Sequence, residues 1–215
     1  MKTFARNLCI VTAILLLALA APATAGPISY SVTINTSSIS GGSYFIDVQL
    51  NPGDQSSQAL TAVVGSFNLG TGSLAGSPSV IGDVTGTLPG SLTLVNSTFF
   101  NDYYEGFTAG MGIFFNLTLS GPAIDSPNGT ATGGSSFGIS LFDGDNNPVL
   151  TVDPGGLLGR IDLGLDGKPT LIVSPASPAG GPAVTFTPET LPASVPEPAT
   201  FELLGSAGLS PILFT

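Results

Sequence analysis

The sequence contains no histidine, no tryptophan, a single cysteine and only four basic residues in a length of 215. Each scarcity removes a class of chemistry. A serine or cysteine nucleophile needs a base to take its proton, and histidine is the usual one. The remaining route is a Ser–Lys arrangement on Lys168, which sits in the turn-like stretch Asp166-Gly167-Lys168-Pro169. Transition metals that prefer imidazole or thiolate have no ligand set. Glycine is abundant, yet never falls in the Gly-x-x-x-x-Gly-Lys-Ser/Thr spacing that cradles phosphate. A lone cysteine, Cys9, closes no disulfide within the chain, so stability has to come from burial. The expectation is a protein that is not an enzyme.

The first 25 residues have the pattern of a secretory leader. Lys2 and Arg6 give a positive start, the 13 residues from Leu8 to Ala20 are largely apolar, and Ala23-Thr24-Ala25 supplies a small-x-small cleavage site. That apolar run is short of the roughly 20 residues a membrane-spanning helix needs. Cleavage after Ala25 would leave Gly26 as the first residue. Residues 26–215 then hold two basic residues, Arg160 and Lys168, against all fourteen acidic ones, a net charge of −12 over 190 residues. No basic patch can be built from two cations, which excludes nucleic acid as a partner and disfavours anionic lipid surfaces.

What the chain does have is alternation with period two, the pattern that places every second side chain on one face of a sheet. Ile28, Tyr30, Val32 and Ile34 alternate with polar residues, and so do Tyr44, Ile46, Val48 and Leu50. The Ser40-Gly41-Gly42-Ser43 stretch between them suggests a hairpin. Further strands are expected at Leu92–Val95, along Met111, Ile113, Phe115, Leu117 and Leu119, and along Phe137, Ile139 and Leu141. Others follow along Ile161, Leu163 and Leu165, at Leu171–Val173 and at Val184–Phe186. One short helix fits near Ser56–Ala62. Many short strands separated by Gly, Pro, Asn, Asp and Ser predict an all-β fold, an antiparallel β-sandwich of jelly-roll type in a single domain. The domain is expected over 26–173, with a last strand reaching 187. A Pro-rich linker follows over 174–194, and a distinct tail over 195–215.

Two polar segments could carry a ligand. Asp143, Asp145 and Asn147 place side-chain oxygens at alternate positions, the way calcium loops begin. However, Pro148 stands where an EF-hand needs glycine, and a polar turn between strands uses the same residues. Calcium is therefore a candidate cofactor and the turn its competitor. The run Phe99-Phe100-Asn101-Asp102-Tyr103-Tyr104-Glu105 combines aromatic rings with polar groups, as sugar-binding surfaces do. Asp102, Tyr103 and Tyr104 are its candidate carbohydrate contacts, against the alternative that the aromatics plug one end of the sandwich. The nearby pair Asp102 and Glu105 is the remote candidate for carboxylate-based glycoside hydrolysis.

Near the C-terminus, Val195-Pro196-Glu197-Pro198-Ala199-Thr200 precedes an apolar run from Phe201 to Phe214. This segment resembles the PEP-CTERM sorting signal of exported bacterial proteins, whose motif here is Pro196, Glu197 and Pro198. The resemblance implies an exosortase-like, membrane-embedded processing enzyme as a partner, a destination outside the cell or at its surface, and an association with exopolysaccharide. The tail departs from that pattern in carrying Glu202 and Pro211 inside the apolar run and no arginine after it, which leaves processing and truncation both open. Tyr44–Asn51, Phe99–Asp102 and Asp153-Pro154 leading to Ile161–Leu163 are also similar to segments of small PEP-CTERM proteins. That similarity implies a shared sandwich-like fold and no activity.

Overall fold

The protein is described here by a computed structural model covering residues 26–177 and 182–189. The leader and the Pro-Glu-Pro motif lie outside the described residues. The fold is 53% strand and 4% helix, arranged as two packed antiparallel sheets. Twelve strands are seen among the described residues: β1 Ile28–Asn35, β2 Ser43–Pro52, β3 Thr61–Asn68, β4 Ser73–Ile81, β5 Val84–Gly86 and β6 Leu92–Val95, followed by β7 Asp102–Thr108, β8 Gly112–Ser120, β9 Ser135–Phe142, β10 Leu157–Leu163, β11 Pro169–Val173 and β12 Val184–Glu189. The one-turn helix α1, Pro122–Asp125, has proline in its first turn, where no backbone N–H is needed.

The first sheet has the order β12-β1-β8-β3-β6-β5 and the second β11-β10-β9-β2-β7-β4. From β1 to β4, and again from β7 to β8, successive strands alternate between sheets. The central order β1-β8-β3-β6 facing β2-β7-β4 is a jelly-roll winding. The predicted alternation sets the inner faces. Tyr30, Val32, Ile34, Ile113, Phe115, Leu117 and Leu119 point inward from the first sheet, and Ile46, Val48, Leu50, Phe137, Ile139 and Leu141 meet them from the second. Each fully buried aliphatic or aromatic side chain contributes about 1.5–3 kcal/mol.

Several expectations need correction. The first two strands do not form a hairpin: β1 pairs with β8 and β12, whereas β2 pairs with β7 and β9 in the other sheet. Alternation identifies a face, not a neighbour. The connection is an arch through a 3-10 turn at Ser37–Ile39, pinned by the bond from the Thr36 hydroxyl to the Gly110 carbonyl (2.9 Å). No helix forms near Ser56–Ala62. Asp54 Oδ1 captures the Ser56 N–H (2.6 Å), a side-chain bond that competes with a helical turn, and β3 begins at Thr61. The aromatic run, read above as a ligand-carrying segment, is strand β7 from Asp102 onward. Met111, placed in line with β8 by the alternation, precedes the strand and is 61% exposed.

Leu117→Ala, at the centre of the first sheet, should cost about 2–5 kcal/mol. Phe114→Ala on the same strand, whose ring points outward and is 44% exposed, should stay within about 0.5 kcal/mol. Urea or thermal melts of the two variants measure the difference.

Candidate functional site

Among the connections that cross between the sheets at one end of the sandwich are β2–β3 and β6–β7. Crossing loops bring backbone polar groups to the end of an apolar core, and two asparagines satisfy them. Asn96, buried, accepts from the Leu60 N–H (2.8 Å) and donates to the Gln58 carbonyl (2.8 Å) and to Ser135 Oγ (2.7 Å). Asn101, fully buried, donates to the carbonyls of Leu50 (2.9 Å) and Thr98 (2.7 Å). Its Oδ1 accepts from the Asp83 N–H (2.9 Å) and the Thr98 hydroxyl (2.6 Å), while its own N–H donates to Asn51 Oδ1 (2.8 Å). With Asn101 turned inward, the two residues before it are left outside.

Phe99 is thereby 60% exposed and Phe100 is exposed beside it. Phe99 lines a cleft of about 420 Å³ together with Asp54, Gln55, Ser57, Asn96 and Thr98. Asp54 is held ionised there by bonds from the Ser56 hydroxyl and N–H and from the Thr132 hydroxyl, which lower its pKa to about 2. An apolar ring over a rim of amide, hydroxyl and carboxylate groups can stack on the flat face of a ligand and accept hydrogen bonds from its edge.

The three carbohydrate candidates separate across the second sheet. Tyr103 points into the core, with no exposure; its hydroxyl donates to Glu105 Oε2 (2.5 Å) and accepts from the Leu88 N–H (3.0 Å). Burial, then the adjacent carboxylate, raises its pKa. It cannot stack on a sugar, because alternation along β7 sends it inward with Glu105 and Phe107. Asp102 and Tyr104 face outward. Tyr104 stacks on Phe45 (centroids 5.0 Å apart, planes 10° apart) and lies 6.4 Å from Phe142. Asp102 and Glu105 therefore fall on opposite faces of one strand and cannot flank one glycosidic bond.

Asp143, Asp145 and Asn147 follow β9 at the opposite end of the sandwich from the cleft. Asp143 Oδ1 accepts from the N–H groups of Asp145 (2.9 Å) and Asn147 (2.8 Å), and Oδ2 from Asn147 Nδ2 (3.0 Å). These bonds, the side chain of Asn147 first, lower the Asp143 pKa. The carboxylate is engaged in closing its own turn, with Asn146 in the left-handed region at φ 61°. Among the described residues, no three His, Cys, Asp or Glu side chains gather as a metal-binding group. The turn touches the aromatic segment at one point, where the Tyr104 hydroxyl bonds Asn146 Oδ1 (3.1 Å).

Sequence reasoning passed over Asp54 and Asn96, and placed Asn101 in the aromatic run without its structural role. The available signals were local: Asp54-Gln55-Ser56 has the side-chain turn spacing, and an asparagine directly after two phenylalanines marks a chain reversal. Asn101→Ala removes a side chain that makes four bonds and should cost at least about 2 kcal/mol, with faster proteolytic nicking between Thr98 and Asn101. Chemical denaturation and limited proteolysis read the two effects. No protein family, curated protein or solved structure matches the chain.

Proposed function

We propose that the chain is an exported, non-enzymatic polysaccharide-binding protein, in which the cleft under Phe99 makes the sugar contact. The observation that carries this reading is the exposed Phe99 ring above a polar rim, held out by the buried Asn101. A large ring left in water costs solvation unless it is used, and a flat apolar face beside hydroxyl and amide groups suits a pyranose. The ionised Asp54 and the excess of acidic over basic residues favour a neutral glycan over a uronate-rich one.

Export supplies the partner. The leader pattern at 1–25 and the resemblance of Pro196-Glu197-Pro198 to an exosortase recognition motif support a destination outside the cell or at its surface. The exported protein should begin at Gly26, and its intact mass tests this. Retention of Lys2 and Arg6 would contradict the leader reading.

Affinity electrophoresis through gels containing dextran, galactomannan or alginate tests the binding site. The wild type should be retarded by a neutral polysaccharide and not by alginate. Phe99→Ala should weaken that retardation about tenfold, equivalent to roughly 1.4 kcal/mol, without lowering the melting temperature. Equal retardation of wild type and variant would remove the cleft from the proposal.

A further inference from the structure

The outward face of the second sheet buries two carboxyl groups that the cleft does not use. Asp47 on β2 is 8% exposed and Asp102 on β7 is 7% exposed. They are diagonal neighbours, since Asp47 registers with Tyr104 and Gln49 with Asp102. The two carboxyl groups lie within hydrogen-bond reach of one another. Gln49 Nε2 donates to Asp47 Oδ2 (2.9 Å), but Asp47 Oδ1 and Asp102 Oδ1 are both buried and without a partner.

Two buried carboxylates on neighbouring strands, each with an unpartnered oxygen, are unfavourable twice over: each loses its hydration, and the two charges repel. Among the described residues, no cation offsets this. Besides Asp47 and Asp102, the neighbouring positions on this face are Ser140 of β9, Ser79 and Ile81 of β4, and Tyr104. Beyond Tyr104 lies Asp143 of the following turn, whose charge adds to the acidity there. Arg160, two strands away on β10, is engaged by Asp162 at 3.1 Å.

We propose that Asp47 and Asp102 form a proton-binding site, in which one shared proton bridges the two unpartnered oxygens and latches β2 to β7 beneath the Phe45–Tyr104 stack. One proton satisfies both orphaned atoms at once: the protonated Oδ1 donates and the other accepts, leaving one negative charge for the pair rather than two. Burial first, and then the hydrogen bond and charge of Asp102, push the Asp47 pKa up to about 8. The folded chain therefore holds a proton that the unfolded chain releases near the ordinary carboxyl value of about 3.9. With more protons bound in the folded state, stability falls as pH rises between those two values and levels off above the upper one. The latch is closed in acidic and neutral surroundings and opens in alkaline ones.

The composition makes this unusually clean to measure. The chain has no histidine, so apart from its α-amino group no ordinary side chain titrates between pH 5 and 8. The experiment compares melting temperatures at constant ionic strength from pH 5 to 8.5 for wild type, Asp47→Asn and Asp102→Asn. Either asparagine keeps the shape and supplies a permanent donor to the remaining carboxylate. The wild type should lose about 5 °C or more over this range, and each variant should be nearly flat. An infrared band of a protonated carboxylic acid should persist in the wild type at pH 7 and be absent from both variants. A pH-independent wild type, or the same slope in all three proteins, overturns the proposal. So does a calcium-dependent rise in melting temperature at pH 8.5 that either substitution removes, because a cation would then occupy the place assigned to the proton. If only one variant folds, its slope and infrared spectrum decide the matter alone.

Discussion

The two sheets are joined by the interlocked side chains of their inner faces and by the loops that cross between them, with no disulfide open to a chain holding one cysteine. Every strand of the jelly roll must therefore keep its register, because a slip of one residue would exchange the apolar and polar faces. β8 illustrates the constraint. Ile113, Phe115, Leu117 and Leu119 fill the core from one side of the strand while Phe114 and Asn116 stand outside it. The strand pairs with β1 over eight consecutive residues. That unbroken ladder fixes the first sheet and, through it, the depth at which the second sheet packs.

A sandwich held by burial has a weak point wherever its chain crosses from one sheet to the other, since the crossing segments carry peptide groups past the end of the core. Asn96 and Asn101 meet that need with short side-chain amides. Their inward turn has a consequence for the outside. The chain around Asn101 is anchored to Leu50 and Asn51 of β2 and to Asp83, and the residues before it project as a short arm. The cleft beside Phe99 is thus a by-product of closing the core.

Legibility in the sequence follows from how many residues share one signal. The all-β class and strands β1, β2, β6, β8, β9, β10, β11 and β12 were readable because apolar side chains recur at every second position, or a short apolar run stands between turn residues. β3 was not, since its bulge near Ser66, at φ 55°, breaks the period. β4 was not, since it is an edge strand, interrupted between Ala75 and Ser79 and mostly exposed. The partner of each strand was also hidden, because alternation carries no information about neighbours; hence the arch between β1 and β2 read as a hairpin. Of the candidate ligand residues, Asp102 and Tyr104 lie on the outer face of the second sheet, Asp102 buried there, and Tyr103 points into the core. This outcome depends on the single-residue phase of β7, which a run of aromatic residues on both faces conceals.

That phase also explains why the acidic pair exists. On β7 the inward positions go to Tyr103, Glu105 and Phe107, so Asp102, Tyr104 and Gly106 must face out beside Phe45, Asp47 and Gln49 of β2. A solvent-facing sheet surface would ordinarily leave its carboxylates hydrated. Here Asp47 and Asp102 are buried all the same, on the face that carries the stacked rings of Phe45 and Tyr104 with Phe142 next to them. Covering a polar surface with aromatic rings converts hydrated charges into buried ones, and without a basic residue nearby a proton is the available counter-charge. Burial raises the Tyr104 pKa, with Asp47, Asp102 and Asp143 adding to the effect. Tyr104 therefore stands between the acid pair and the Asp143–Asn147 turn, bonded to Asn146 on one side and stacked on Phe45 on the other. Loss of the shared proton would place a second charge directly against that ring, so the acid pair and the turn are coupled through one side chain.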